Sequence, residues 1–475
     1  MVEQVDAVEP IRPRQPPVVG RERERALLHG QLEGALAGQG SLILVGGEAG
    51  IGKTTLVADL ARQAEEAGCL VLWGHSYDLS VTPPYGPWVE LATSYRPTDG
   101  LPPFPDFLHS GEALAAVGSR EALFARTWDF FATVAGKKPV VLILEDVHWA
   151  DQESLDLLRF VARQVARHRV LVLATYRSDE LTRRHPLYQL IPLLVREANA
   201  ERLDVLPLDA EAQHALIGER YGLPEADTVR LEAYLRDHAE GNPLYASELL
   251  RTLEDDGVLV VGKGRWWLGD LARVRVPPLL MQVIEGRLRR LTEEARRLLE
   301  IGAVIGPTIP VDVWQRVGGA GDEALAAAIE QGLEAHLLSE TPGGAVCFSH
   351  ALVREALYAG IVLVRRRGWH RAVAETLVET RSPDPDAVAH HFEQAGDQRA
   401  VEWLLKAGER AQRTYAWTTA ATRYEAVLAR LAEQGAPATE RAALLFRIAY
   451  LNRFVDARRA LTLMDEAQAL AVEAG

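Results

Sequence analysis

The chain has 475 residues, with 52 Lys plus Arg against 66 Asp plus Glu for a formal net charge of -14; 48% of it is hydrophobic and 25% charged. At roughly 150 residues per domain this predicts about three domains. The near-average composition excludes a chain that is disordered, collagen-like or coiled-coil throughout, and the acidic balance opposes undirected binding to nucleic-acid phosphates or anionic lipid. Cys69 and Cys347 lie far apart without CxxC spacing, which points to neither a disulfide framework nor a zinc site. The opening MVEQVDAVEPIRPRQPP has no apolar signal core, and the longest apolar stretch, around Ile301 to Val311, is too short to span a membrane, so the expected location is the cytoplasm.

In chain order, residues 1–17 are proline-rich and aperiodic and read as a flexible lead-in. Helical spacing follows over 21–37, then SLILVGG, a continuous apolar run of the kind a strand buried on both faces requires. TTLVADLARQAEEAG is amphipathic and CLVLWGH apolar, so strand, loop, helix and strand alternate as in an α/β domain with a parallel sheet. The stretch from about Ser80 to Gly111, rich in Pro, Gly and aromatics, reads as an insertion over that sheet. PVVLILED at 139–146 and RVLVLATYR at 169–177 are two further core strands flanking a helix, and past Glu180 strand signals thin out.

The expected division is a P-loop ATPase domain over 18–200, a helical lid over 201–270 closed by the hairpin GVLVVGKGRWWLGD, a winged-helix-like module over 271–370, and a helical repeat region over 371–475. Within the last, Tyr415, Trp417, Tyr424 and Phe454 fall at helix-packing positions of stacked hairpins resembling tetratricopeptide repeats. The array ends at LAVEAG without a polar capping helix, so the natural chain is expected to continue past 475.

Chemistry concentrates in GEAGIGKT, which matches GxxxxGK[ST] directly between a predicted strand and a predicted helix. Gly47, Gly50 and Gly52 let backbone amides turn inward around phosphates at a helix N-terminus. Lys53 would reach the β- and γ-phosphates, the Thr54 hydroxyl would ligate Mg²⁺, and Thr55 follows on the same first turn. The strand VVLILED supplies two carboxylates: Glu145 is assigned to the metal side with Thr54, and Asp146 to polarising water. Their order, Glu then Asp, inverts the usual one. Asp151 in HWADQES is expected to cap the helix beginning near Gln152. The next strand ends in ATYR, placing Thr175 and Arg177 at the carboxyl edge of the sheet, where Arg177 could sense a γ-phosphate.

VVGRERE, GEAGIGKT, VLILEDVHWAD, LVLATYR, HAEGNPLYASELL and CFSHALVREALY together resemble the signal-transduction ATPases with numerous domains (STAND), and within them the large ATP-binding regulators of the LuxR type related to the maltose activator, over roughly 18–475. The resemblance implies that the VGRE segment, Val19 and Arg21 included, packs near the adenine. It implies that Pro243 of the GNP turn contacts the base and that His350 of the FSH element touches the β-phosphate of ADP. It further implies a slow ATPase serving as a switch between an ADP-held closed form and an ATP form that self-associates. A signal ligand or protein would act at the C-terminal helices, and DNA would be reached only through a domain that this sequence does not contain. Two rival readings stand beside it. In the first, a DNA-loading ATPase similar to replication initiators, the winged helix would grip DNA, yet residues 271–368 carry 12 Lys plus Arg against 11 Asp plus Glu, a near-neutral balance. The second is a nucleotide-bound scaffold without hydrolysis, suggested by the inverted carboxylate pair.

Overall fold

The computed structural model describes residues 19–77, 84–97, 100–105, 119–262, 265–271, 284, 286–340, 345–349, 351–453 and 456–473. The first unit is a sheet covered on both faces. Its strands are β1 (Ser41–Gly47), β2 (Leu70–His75), β3 (Val140–Glu145), β4 (Val170–Arg177) and β5 (Glu201–Asp204), all parallel, in the order β2-β3-β4-β1-β5. Because side chains alternate along a strand, Ile43, Val45, Val141, Ile143, Leu171 and Leu173 share one face. They pack on Leu28 and Leu32 of α1 (Glu22–Leu36) and Leu56, Val57 and Leu60 of α2 (Lys53–Glu66). Leu42, Leu44, Leu142, Leu144, Val170 and Val172 line the other face. They are covered by α3 (Gly86–Ser94), α4 (Arg120–Lys137), α5 (Gln152–Ala162) and α6 (Pro186–Ala198). Double coverage is why these strands read as unbroken apolar runs.

One expectation about this unit is corrected. The sheet does not end before residue 200: β5 pairs with β1 from Ile43↔Glu201 to Gly46↔Asp204, so the ATPase domain runs past the 200/201 boundary. At this sheet edge only Leu203 of the strand ERLD is buried, which left no apolar run to recognise. The described part of the 80–111 stretch lies over the sheet, with Trp88 and Leu91 of α3 fully buried against β2. Gly74 makes this approach possible, since a Cβ there would lie 2.1 Å from the Pro87 carbonyl oxygen.

Next come α7 (Ala210–Tyr221), α8 (Glu225–Ala239) and α9 (Pro243–Asp255), closed by the antiparallel pair β6 (Leu259–Gly262) and β7 (Arg265–Leu268). Leu231, Leu235, Leu249, Leu250 and Leu253 form their common core, and Trp266 packs edge-on against Tyr221. A third core gathers Leu298, Ile301, Trp314, Leu325, Leu338 and Phe348. Its elements run α10 (Glu293–Ile305), β8 (Thr308–Ile309), α11 (Val311–Gly318), α12 (Asp322–Glu334), β9 (Leu338–Glu340), β10 (Val346–Phe348) and α13 (Ala351–Gly360), with an antiparallel sheet ordered β8-β10-β9.

The remainder is helical: α14 (Leu363–Val378), α15 (Pro385–Ala395), α16 (Ala400–Arg413), α17 (Trp417–Glu433), α18 (Ala438–Asn452) and α19 (Ala457–Glu473), each packed on the one before it. The 370/371 boundary is corrected too, because it cuts α14 in its middle. Tyr424 is fully buried, with its ring against Gly408 of α16, and Tyr415 meets Trp417 edge-on. Phe454 and the lead-in 1–17 lie outside the described residues. The array is not a separate tail. Its residues Phe392, Trp403, Tyr424 and Ile448 belong to the same apolar cluster as Leu155 and Leu158 of α5.

Candidate functional site

The carboxyl ends of β1, β2, β3 and β4 converge on one edge, where open parallel sheets bind ligands. Gly47 ends β1, and the loop to α2 has positive φ at Gly50 (74°) and Gly52 (98°), a region that favours glycine. Gly52 is the left-handed N-cap that starts α2 at Lys53. Lys53 is 7% exposed and its Nζ donates to the carbonyl oxygens of Gly47 and Glu48, both at 2.8 Å. Burial lowers its pKa, with Asp146 opposing and Arg177 adding to the effect. Thr54 and Thr55 are exposed on the first turn of α2.

Glu145 ends β3 and is 8% exposed; burial raises its carboxyl above the usual range, while His75, the Thr54 hydroxyl and Lys53 act against that. Its Oε1 is buried without a hydrogen-bond partner. Asp146 follows in the left-handed region at φ 52°, which Asp tolerates better than most residues. This turn breaks the alternation of the strand and brings the second carboxylate to the same edge, within the fields of Arg177 and Lys53, which oppose the upward shift that burial imposes on it. The Asp146 N–H donates to the Thr175 hydroxyl at 2.9 Å. Arg177, 9% exposed, lays its guanidinium 4.5 Å over the Trp149 ring and donates to Glu180 at 2.6 Å. Asp151 caps α5, accepting from Ser154 N at 2.9 Å.

Two other segments hold the phosphate-binding loop. Arg21, 6% exposed, donates to the Ile51 carbonyl at 3.1 Å, while Gly20 is pressed against Ala212 of α7. Val19, half-buried, is the first described residue. In the GNP turn Asn242 caps α9, and its Nδ2 donates to the Ala49 carbonyl at 3.0 Å. Pro243, half-buried, occupies the first turn of α9 beside it, and the Leu244 N–H reaches the Gly50 carbonyl at 3.3 Å. His350 lies outside the described residues. Its neighbours Phe348, Arg354 and Glu355 line a cavity together with His75, Glu145, Asp146 and Trp149.

Sequence reasoning missed three participants. His75 ends β2 in register with Glu145; its Nδ1 lies 2.7 Å from Glu90 Oε1 and its Nε2 3.5 Å from Glu145 Oε2. Burial works against its imidazolium, but the Glu90 hydrogen bond and the Glu90, Glu145 and Asp146 charges outweigh it and raise the pKa. His148 accepts from the Arg177 N–H at 3.3 Å, and burial holds it down at about 3. Asn242 stands beside Pro243, the residue of the turn that the resemblance singles out, and it is the asparagine that reaches the loop. His75 was legible as the last residue of a strand ending at the ligand edge; the loop contact of Asn242 is made across 193 residues and left no local trace.

The first unit is a P-loop fold: a parallel sheet whose glycine loop leads into a helix at Lys53, with two carboxylates at the same edge. Residues 17–173 match the model of the AAA ATPase domain. An uncharacterised protein of Rhizobium meliloti (strain 1021) is 26% identical over 437 residues, covering 83% of this chain and 40% of that protein. Among solved structures, the signal transduction ATPase with numerous domains carrying a tetratricopeptide repeat sensor from Pyrococcus horikoshii shares the fold at a TM-score of 0.52 and 15% identity, over 96% of this chain and 59% of that one. Aeropyrum pernix ORC1, solved in complex with DNA, is 17% identical over 73% of this chain and 94% of its own, at a TM-score of 0.36 that adds nothing to the assignment. The chain thus spans less than two thirds of the length of the Rhizobium and Pyrococcus proteins.

Proposed function

We propose that the protein is an ATP/ADP-dependent switch that couples nucleotide state to the arrangement of its domains, in a regulator of the LuxR-related STAND type. Nucleotide phosphates would lie in the Gly47–Thr54 loop, with Lys53 moving from the loop carbonyl oxygens onto phosphate oxygens. The orphaned Glu145 Oε1 beside Thr54 fits a bound cation, and Mg²⁺ held by Thr54 and Glu145 would supply charge neutralisation at the β- and γ-phosphates. Asp146 would orient water, His75 would hold Glu145 in place, and Arg177 would read the γ-phosphate. Arg21 and Val19, with Pro243, would border the base, and His350 the β-phosphate.

The observation that carries the switch is the cavity in which Glu145 and Asp146 face Phe348, Arg354 and Glu355 of the module we read as a winged helix. A change at the carboxylates would therefore be felt directly by a second domain. The helical array would receive the signal, and output to DNA would belong to a further domain. The test is to denature freshly purified protein and identify the released nucleotide by chromatography. Stoichiometric ADP from the native protein, absent from Lys53→Ala, is the expected result. Protein that is empty and exchanges ATP freely would reject the ADP-held closed form.

A further inference from the structure

Where the winged-helix-like module meets the array, three histidines come together away from the nucleotide edge. His370 lies on α14, and His390 and His391 are adjacent on α15. One ring nitrogen from each lies within 4.8 Å of the others. His370 and His391 are 1% and 5% exposed, and their Nδ1 atoms face each other at 2.8 Å. His370 Nε2 is 2.9 Å from the Tyr358 hydroxyl of α13. Ring centroids are 5.1 Å apart for His370 and His391, 5.8 Å for His370 and His390, and 5.2 Å for His390 and His391.

We propose that His370, His390 and His391 form a binding site for a transition-metal dication of the zinc class, clamping α15 to α14. Imidazole nitrogens without a carboxylate or thiolate suit Zn²⁺, Ni²⁺ or Cu²⁺ rather than Mg²⁺ or Ca²⁺. Metal–nitrogen bonds of about 2.0–2.1 Å in a tetrahedron set ligand nitrogens roughly 3.4 Å apart, which small ring rotations reach from the present spacing. In the tautomer in which His370 Nε2–H donates to the Tyr358 hydroxyl, Nδ1 is a lone pair turned toward His391, and a metal ion would replace the hydrogen bond between the two Nδ1 atoms once the His391 proton moves to its other ring nitrogen. Burial, together with the guanidiniums of Arg354, Arg366 and Arg423 nearby, keeps all three rings in the neutral form that ligation needs. Each guanidinium has its own contact: Arg354 donates to the Ala303 carbonyl, Arg366 lies over Tyr358, and Arg423 pairs with Asp386. Arg354 also lines the cavity at Glu145, and Tyr358 follows it by one turn of α13.

The experiment uses the full chain stripped with chelator and titrated with Co²⁺, whose visible absorption reports nitrogen ligation. One Co²⁺ per chain, displaced by Zn²⁺, is expected, with affinity lowered at least tenfold in His390→Gln and lost in His370→Gln. His390 is the least buried of the three, so its variant should unfold in chelator at the same temperature as the native chain. Lys53→Ala should keep the metal, which separates this site from the nucleotide reading. Absence of a stoichiometric Co²⁺ band in the native chain overturns the proposal, as does undiminished binding in His370→Gln and His390→Gln.

Discussion

Asn242 does two jobs with one side chain: its oxygen accepts from the Leu244 N–H to start α9, and its amide holds the Ala49 carbonyl of the phosphate-binding loop. Asn242→Ala removes both. The lost cap alone costs about 1 kcal/mol, and the released loop should raise the ADP dissociation rate several-fold in a fluorescent-nucleotide chase; an unchanged rate would mean that the turn only caps a helix. At the opposite side of the edge, Asp146 is placed by its left-handed backbone to face Lys53 and Arg177. If it orients water, Asp146→Asn should slow single-turnover ATP hydrolysis by 10²-fold or more while leaving ADP binding intact. A native protein with no turnover to lose would favour the scaffold reading.

At the scale of elements, the telling contact is between α5 and α17. Glu153, 2% exposed, accepts from the N–H groups of Thr418 and Thr419 at 3.0 and 3.2 Å and from the Thr419 hydroxyl at 2.7 Å. The first turn of α17 is thus capped by the helix that follows the Asp146 turn. A carboxylate also complements the positive end of a helix. Glu153→Ala leaves two backbone donors without their acceptor, at roughly 1–3 kcal/mol each where they stay dry. Faster hydrogen exchange confined to α17 and its neighbours is the expected result; equal protection in both proteins would show that the apolar contact alone holds the array.

For the whole molecule, the apolar cluster shared by α5, α16 and α17 and the cavity at Glu145 tie both the array and the unit of α10 to α13 to the sheet. If nucleotide state works these contacts, replacing ADP with a non-hydrolysable ATP analogue should increase the radius of gyration measured by small-angle X-ray scattering. The Glu153→Ala protein should show part of that increase with ADP alone. Identical scattering in both nucleotide states would argue against domain opening. Among the described residues no helix is long and apolar enough to cross a membrane.

The sequence by itself determined what depends on neighbours in the chain. Burial on both faces made β1 to β4 continuous apolar runs, and the glycine spacing of residues 47–54 is dictated by a backbone that must turn inward at a helix N-terminus. Asp151 was readable as a cap for the same local reason. What only the tertiary structure decided is what passes between distant segments. The half-exposed edge strand β5, the Asn242 and Arg21 clasps on the loop, His75 beside Glu145, the Glu153 cap on α17 and the meeting of His370 with His391 are each made by residues whose local context is ordinary. Hydrogen bonds across such spans leave no periodicity to read, because one polar side chain is enough to make each and the chain between its ends is free to vary.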